Sequence, residues 1–274
     1  MAELLKRVTS LDPATYRTNR LTEEERDFYA REGYLVIPNA IASPADLAEL
    51  QDLLGRVREE NIAAGKAKTT DRVNRAAFSV TNHRMFSASD AMVRLLTNPK
   101  VFPKVVDMLG INISLYHCHI STVPPGEHSE EPDWSQAPTL GFHQDSGRSN
   151  VELEVPEGVA RPRLTLKCGY MLTDHRPPGR GQTWLIPKSH TAQRRQDIAG
   201  WPVDGIGQPP GAFPFRGAPG DCVICKIFHP ASSQTPPEVC FFGPANLYLA
   251  FHGAQSIVRP CTQRLRTIPM SIAR

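Results

Sequence analysis

At 274 residues, with 40% hydrophobic and 22% charged, the chain can bury a sizeable core and has an ordinary charge content. A net charge of +3 without a Lys/Arg run makes no electrostatic case for nucleic acid or a membrane surface. No apolar stretch reaches transmembrane length and MAELLKRVTS lacks a signal peptide's apolar centre, so a soluble cytoplasmic protein is expected.

In chain order, residues 1–20 read as a tail and 21–110 as a mainly helical layer. LTEEERDFYAREGYLVIP opens with Thr22 as N-cap and Glu25 three residues on, the capping-box pattern. Phe28 and Tyr29 lie on its apolar side, and Gly33 stops the helix before the strand-like YLVIP. Residues 43–62 repeat the logic, with Ser43 as cap, Pro44 at the first helical position and Leu47, Leu50, Leu53 and Leu54 as a stripe. A third amphipathic piece, 88–109, carries Val93, Leu95, Leu96, Val105 and Val106 around a break at Pro103.

From 111 the texture changes to short β-rich runs between Pro/Gly-rich connections: INISLYHCHISTV, RLTLKCGYMLTD, GQTWLIP, GDCVICKIF, EVCFFG, NLYLAF and LRTIPMSI. Many short strands with frequent turn signals predict a sandwich, barrel or jelly roll. With no repeat and no linker, the chain reads as a single domain over 1–274, with the β core in 111–274. The six cysteines do not form a disulfide framework at this length. Cys222 and Cys225 make a C-x-x-C inside an apolar strand, where residues three apart face opposite ways. They read as buried thiols, not as half a zinc site.

The segment GFHQDSGRSN is the most informative for chemistry. His143 and Asp145 are two apart, so on a strand both side chains leave one face and can grip one ion. Imidazole and carboxylate suit Fe(II). A second histidine would complete a 2-His-1-carboxylate triad, leaving positions open for oxygen and an organic co-substrate.

The order of these features resembles the phytanoyl-CoA dioxygenase (PhyH) family of iron(II)/2-oxoglutarate-dependent oxygenases. LTEEERDFYAREGYLVIPNAI is similar to the family's opening, and GFHQD to its metal motif, Gln144 included. KCGYMLTD with GRGQTWLIPKSH is similar to its central strand pair, and GAPGDCVI to the start of the strand leading to the last ligand. The resemblance covers residues 21–228. It implies a mainly β fold, a double-stranded β-helix (jelly roll, cupin-like) with N-terminal helices packed outside and metal at the barrel mouth. It further implies Fe(II) as cofactor, 2-oxoglutarate as co-substrate, O2, and a small-molecule substrate.

The family places a histidine after that glycine and then an arginine for the far carboxylate of 2-oxoglutarate, a job suited to a guanidinium fork. Two histidines compete here. His229 in FHPASSQT follows the G-D strand directly, while His252 in FHGAQS has the family-like H-G-A and arginines at plausible spacing. His229 is preferred as third ligand, with His252 as the alternative. Arg264, then Arg266, is the candidate clamp. Tyr170 stands where relatives put an aromatic beside the co-substrate, or it is a core tyrosine.

His117 and His119 share a strand face, as pocket residues or interior histidines. His190 is expected to end a strand and contact backbone. Trp134 is a lid residue or a packing anchor, and Arg148 a neighbour of the site or solvated. Related halogenases lack the carboxylate, so Asp145 points to hydroxylation or a related oxidation, in secondary metabolism. Competing readings are a degenerate family member that binds a ligand or partner, and a cupin-like isomerase or hydrolase.

Overall fold

The computed structural model describes residues 12–64, 74–79, 89–122, 133–143, 165–178, 182–192, 197–225, 229–230 and 246–253. Helix α1 (Pro13–Thr18) falls in the segment read as a tail; the Asp12 carboxylate caps it by accepting from Thr15 N at 2.9 Å. Helix α2 (Glu23–Glu32) has the expected capping box, with Thr22 N donating to Glu25 and Glu25 N donating to Thr22 Oγ1. Gly33 ends it in the left-handed region at φ 82°, where a side chain would be strained, and strand β1 (Tyr34–Ile37) follows.

Helix α3 (Pro44–Ala63) is capped by Ser43, whose Oγ accepts from Asp46 N at 3.2 Å. Leu50, Leu53 and Leu54 are buried and Leu47 partly so. Each fully buried leucine contributes about 1.5–3 kcal/mol by leaving water. The third amphipathic piece is two helices, α4 (Asp90–Leu96) and α5 (Phe102–Leu109). The break lies ahead of Pro103, not at it. Asn98 stabilises the corner by donating to Ala40 O and accepting from Lys100 N and Val101 N. Pro103 sits in the first turn of α5, where its missing N–H costs no helical hydrogen bond. Between the helices runs strand β2 (Asn74–Ser79), which the helical reading of this region did not include.

Eight further strands follow: β3 (Ile113–Thr122), β4 (Phe142–His143), β5 (Thr165–Met171), β6 (Trp184–Leu185), β7 (Phe213–Pro214), β8 (Cys222–Cys225), β9 (His229–Pro230) and β10 (Asn246–Gly253). Six form one sheet in the order β1-β8-β5-β10-β3-β2, antiparallel throughout. The short strands make two antiparallel pairs, β4–β9 and β6–β7, with β6 running beside β9. From β3 onward the chain passes back and forth between the large sheet and the short pairs. The expected strands EVCFFG and LRTIPMSI lie outside the described residues.

Alternation along β5 defines two faces. Leu166, Cys168 and Tyr170 join Leu50, Met92 and Val105 in the layer between sheet and helices. Met171 points the other way and packs with Val223, Cys225, Leu185 and Phe215 in the space between the large sheet and the short strands. The C-x-x-C obeys the same rule: Cys222 belongs to the helix-facing cluster and Cys225 to the inner one, both as free buried thiols. Among the described residues, no helix is long and apolar enough to cross a membrane.

The G-D pair explains how β8 is launched. Gly220 has φ 91°, and a Cβ there would meet Ile41 O at 2.9 Å. Its N–H donates to Met171 O, and its carbonyl accepts from Ile41 N. The Asp221 carboxylate accepts from Asn39 N and Ala218 N, both at 2.8 Å. Three segments are thus tied at the point from which β8 runs toward β9.

Candidate functional site

Strand β4 meets β9 in one register: Phe142 opposite Pro230, and His143 opposite His229. Phe142 is fully buried outside the short strands, edge-on to Trp201 at 6.0 Å and clustered with Leu140, Trp184 and Ile186. Leu185, between Trp184 and Ile186, belongs to the inner cluster. Strand alternation therefore assigns position 143 to the inner face. Directly paired positions on antiparallel strands have Cβ atoms about 4.5–5.5 Å apart, which is spacing two ligands of one ion can use.

His252 lies elsewhere. It sits on β10 opposite Thr165 of β5 and Ser114 of β3, inside the six-stranded sheet. The fold thus brings the backbones of His143 and His229 together and gives His252 different neighbours. Asp145, Gln144, Arg148, Arg264 and Arg266 lie outside the described residues. Among the described residues, no group of three or more His, Cys, Asp or Glu forms a metal cluster.

Tyr170 is 1% exposed and packs on the helix-facing side of β5, which is the core-tyrosine alternative. Burial, reinforced by the neighbouring Cys222 and Cys168 thiols, pushes its hydroxyl well above the usual phenol range. His117 and His119 stand on β3 opposite Ala250 and Tyr248 of β10, two positions apart on one face. His190 contacts backbone as expected, with Nε2 3.0 Å from Ala30 O, but within a 3-10 turn (Ser189–Thr191) and not at a strand end. Lys188 N donates to Glu32 O in the same turn, so P-K-S-H fastens β6 to α2. Trp134 packs edge-on against Trp184 at 4.3 Å, anchoring its loop to the short strands. The acidic turn after β5 holds Asp174 in a two-point pair with Arg176, both contacts at 2.8 Å, and this lowers its carboxyl to about 2.

One inward residue escaped the sequence reading. Lys167 is 5% exposed on β5, a central strand, four positions before the inward Met171. A lysine inside the apolar run RLTLKCGYMLTD was the available signal, but which face of that run looks inward depends on where the helices pack.

The family model for phytanoyl-CoA dioxygenase (PhyH) matches residues 29–235. The chain belongs to that family and is an enzyme of the iron(II)/2-oxoglutarate-dependent oxygenase class. No curated protein matches it. Among solved structures it is similar to HygX from Streptomyces hygroscopicus, determined with nickel and 2-oxoglutarate bound. The TM-score is 0.54 at 14% identity, covering 86% of this chain and 88% of that one. It is also similar to the non-heme alpha-ketoglutarate-dependent carbocyclase SnoK from nogalamycin biosynthesis (TM-score 0.56, 19% identity, 89% and 87% covered). A third is EctD from S. alaskensis with bound Fe (0.56, 18%, 85% and 77%). At these identities the likeness is one of fold.

Proposed function

We propose that the chain, as a single domain, folds as a double-stranded β-helix and oxidises a C–H bond of a small organic metabolite, using iron(II), 2-oxoglutarate and O2. The carrying observation is the placement of His143 opposite His229 on neighbouring short strands. The passage of the chain between large sheet and short pairs supports the β-helix reading. Two imidazoles with the Asp145 carboxylate are a donor set that fits Fe(II). His143, Asp145 and His229 would hold the metal. Bound iron, with 2-oxoglutarate and O2, supplies an oxidant able to take hydrogen from an unactivated C–H bond.

The chain's own residues do the positioning. The β4–β9 pairing fixes the spacing of the two histidines, and the Gly220–Asp221 turn fixes where β8 sets out toward His229. The inner cluster of Met171, Leu185, Phe215, Val223 and Cys225 is apolar and keeps water from that part of the interior. Retention of Asp145 favours hydroxylation or a related oxidation over halogenation. HygX has been solved with hygromycin B, EctD with 5-hydroxyectoine, and SnoK acts in nogalamycin biosynthesis, all of which support a small-molecule substrate and a natural-product tailoring role.

The test is conversion of 2-oxoglutarate to succinate by purified protein given Fe(II) and air. Iron-dependent succinate formation is the expected result, accelerated by the correct substrate. A folded protein that binds no iron and forms no succinate would replace this reading with a degenerate ligand-binding protein.

A further inference from the structure

We propose that Lys167, and not an arginine beyond β10, supplies the positive charge that holds the far carboxylate of 2-oxoglutarate; this rests on the iron/2-oxoglutarate reading above. A lysine 5% exposed on the central strand of a six-stranded sheet is unusual, because a buried ammonium is costly without an anionic or strongly polar partner. Its direction is fixed by its neighbours. Leu166 and Cys168 on either side pack into the helix layer, so Lys167 lies on the inner face with Met171.

Its level along the barrel is fixed by register. Lys167 pairs with Cys225, the last residue of β8, and His229 opens the next strand four residues later. The ammonium is therefore carried at the end of the interior to which the candidate histidine belongs. On the other flank Lys167 faces Ala250, a residue too small to fill the space beside a long side chain. Strand β10 (Asn-Leu-Tyr-Leu-Ala-Phe-His-Gly) contains no cation, and Arg264 and Arg266 come eleven or more residues after its end at Gly253. 2-Oxoglutarate is a dianion. With one carboxylate and the keto oxygen directed to the metal, the other needs a cation deeper in the barrel, and an ammonium on a flexible stem can meet it as a point charge.

The experiment compares anaerobic binding of 2-oxoglutarate with that of 2-oxopentanoate, which lacks the far carboxylate, to the Fe(II)-loaded protein. The variants are Lys167→Met, Lys167→Arg, Arg264→Ala and Arg266→Ala. The parent should prefer 2-oxoglutarate by about 100-fold or more, as for loss of a buried charge pair. Lys167→Met should abolish that preference while keeping iron stoichiometry and thermal midpoint. Lys167→Arg should retain part of it, and neither arginine variant should remove it. Should Lys167→Met fail to fold, retention of the preference in Lys167→Arg together with both arginine variants still supports the assignment. A Lys167→Met protein that keeps the preference, or an arginine variant that loses it, would overturn the proposal. A parent that binds iron but neither oxo acid would instead refute the underlying iron/2-oxoglutarate reading.

Discussion

The large sheet and the short strands solve different problems. The large sheet has strands of up to ten residues and is backed by α3, α4 and α5 through one continuous apolar layer. The short strands are two residues each, held by register and by outer contacts such as Phe142 on Trp201 and Trp134 on Trp184. The first is a packed wall whose inner face carries Lys167. The second carries the two candidate metal histidines. Extended packing thus supplies rigidity on one side, while a single backbone pairing decides the ligand set on the other.

Three perturbations probe that division. The largest effect on stability should come from the wall. Leu50→Ala empties a site 1% exposed and should cost about 2–5 kcal/mol in urea unfolding. A loss below about 1 kcal/mol would mean the helices do not back the sheet as described. Next is the junction between the regions. Gly220→Ala forces a side chain into φ 91° against Ile41 O and should cost about 1–2 kcal/mol from the backbone alone. Because β8 leads toward His229, iron affinity should fall as well; unchanged iron binding would uncouple the turn from the site.

The smallest effect is electrostatic and local. Asp174 should titrate at about 2, and Arg176→Ala should return it toward 3.8. A carboxyl lowered by folding adds stability above its unfolded value, and that stability is lost as pH falls through the folded one. The window is therefore about pH 4 down to 2, and the change is slight because the pair is exposed to solvent. A wild-type midpoint near 3.8 by carboxyl NMR would remove the pair.

Much of the wall was legible in the sequence. Thr22 with Glu25, Ser43 with Pro44 and the Leu47–Leu54 stripe are local patterns, and local patterns specify local structure. Cys222 and Cys225 were likewise readable, since alternation alone separates their faces. Strand β2 and the corner at Asn98 were not, because β2 owes its place to pairing with β3, and the corner to a hydrogen bond across 58 residues to Ala40. The family motifs placed His143 and the G-D turn. The choice between His229 and His252 turns on which strand pairs with β4, a tertiary fact that no local pattern encodes. For the same reason Lys167 was passed over: its burial follows from the helices on the far side of its strand.

The most direct test of the account is anaerobic Fe(II) binding by the parent, His229→Ala and His252→Ala, with 2-oxoglutarate added to develop the visible band of the chelate. The account predicts one iron and a band in the parent and in His252→Ala, and loss of both in His229→Ala. Loss in His252→Ala with retention in His229→Ala would contradict it, because the β4–β9 pairing would then not be the metal site.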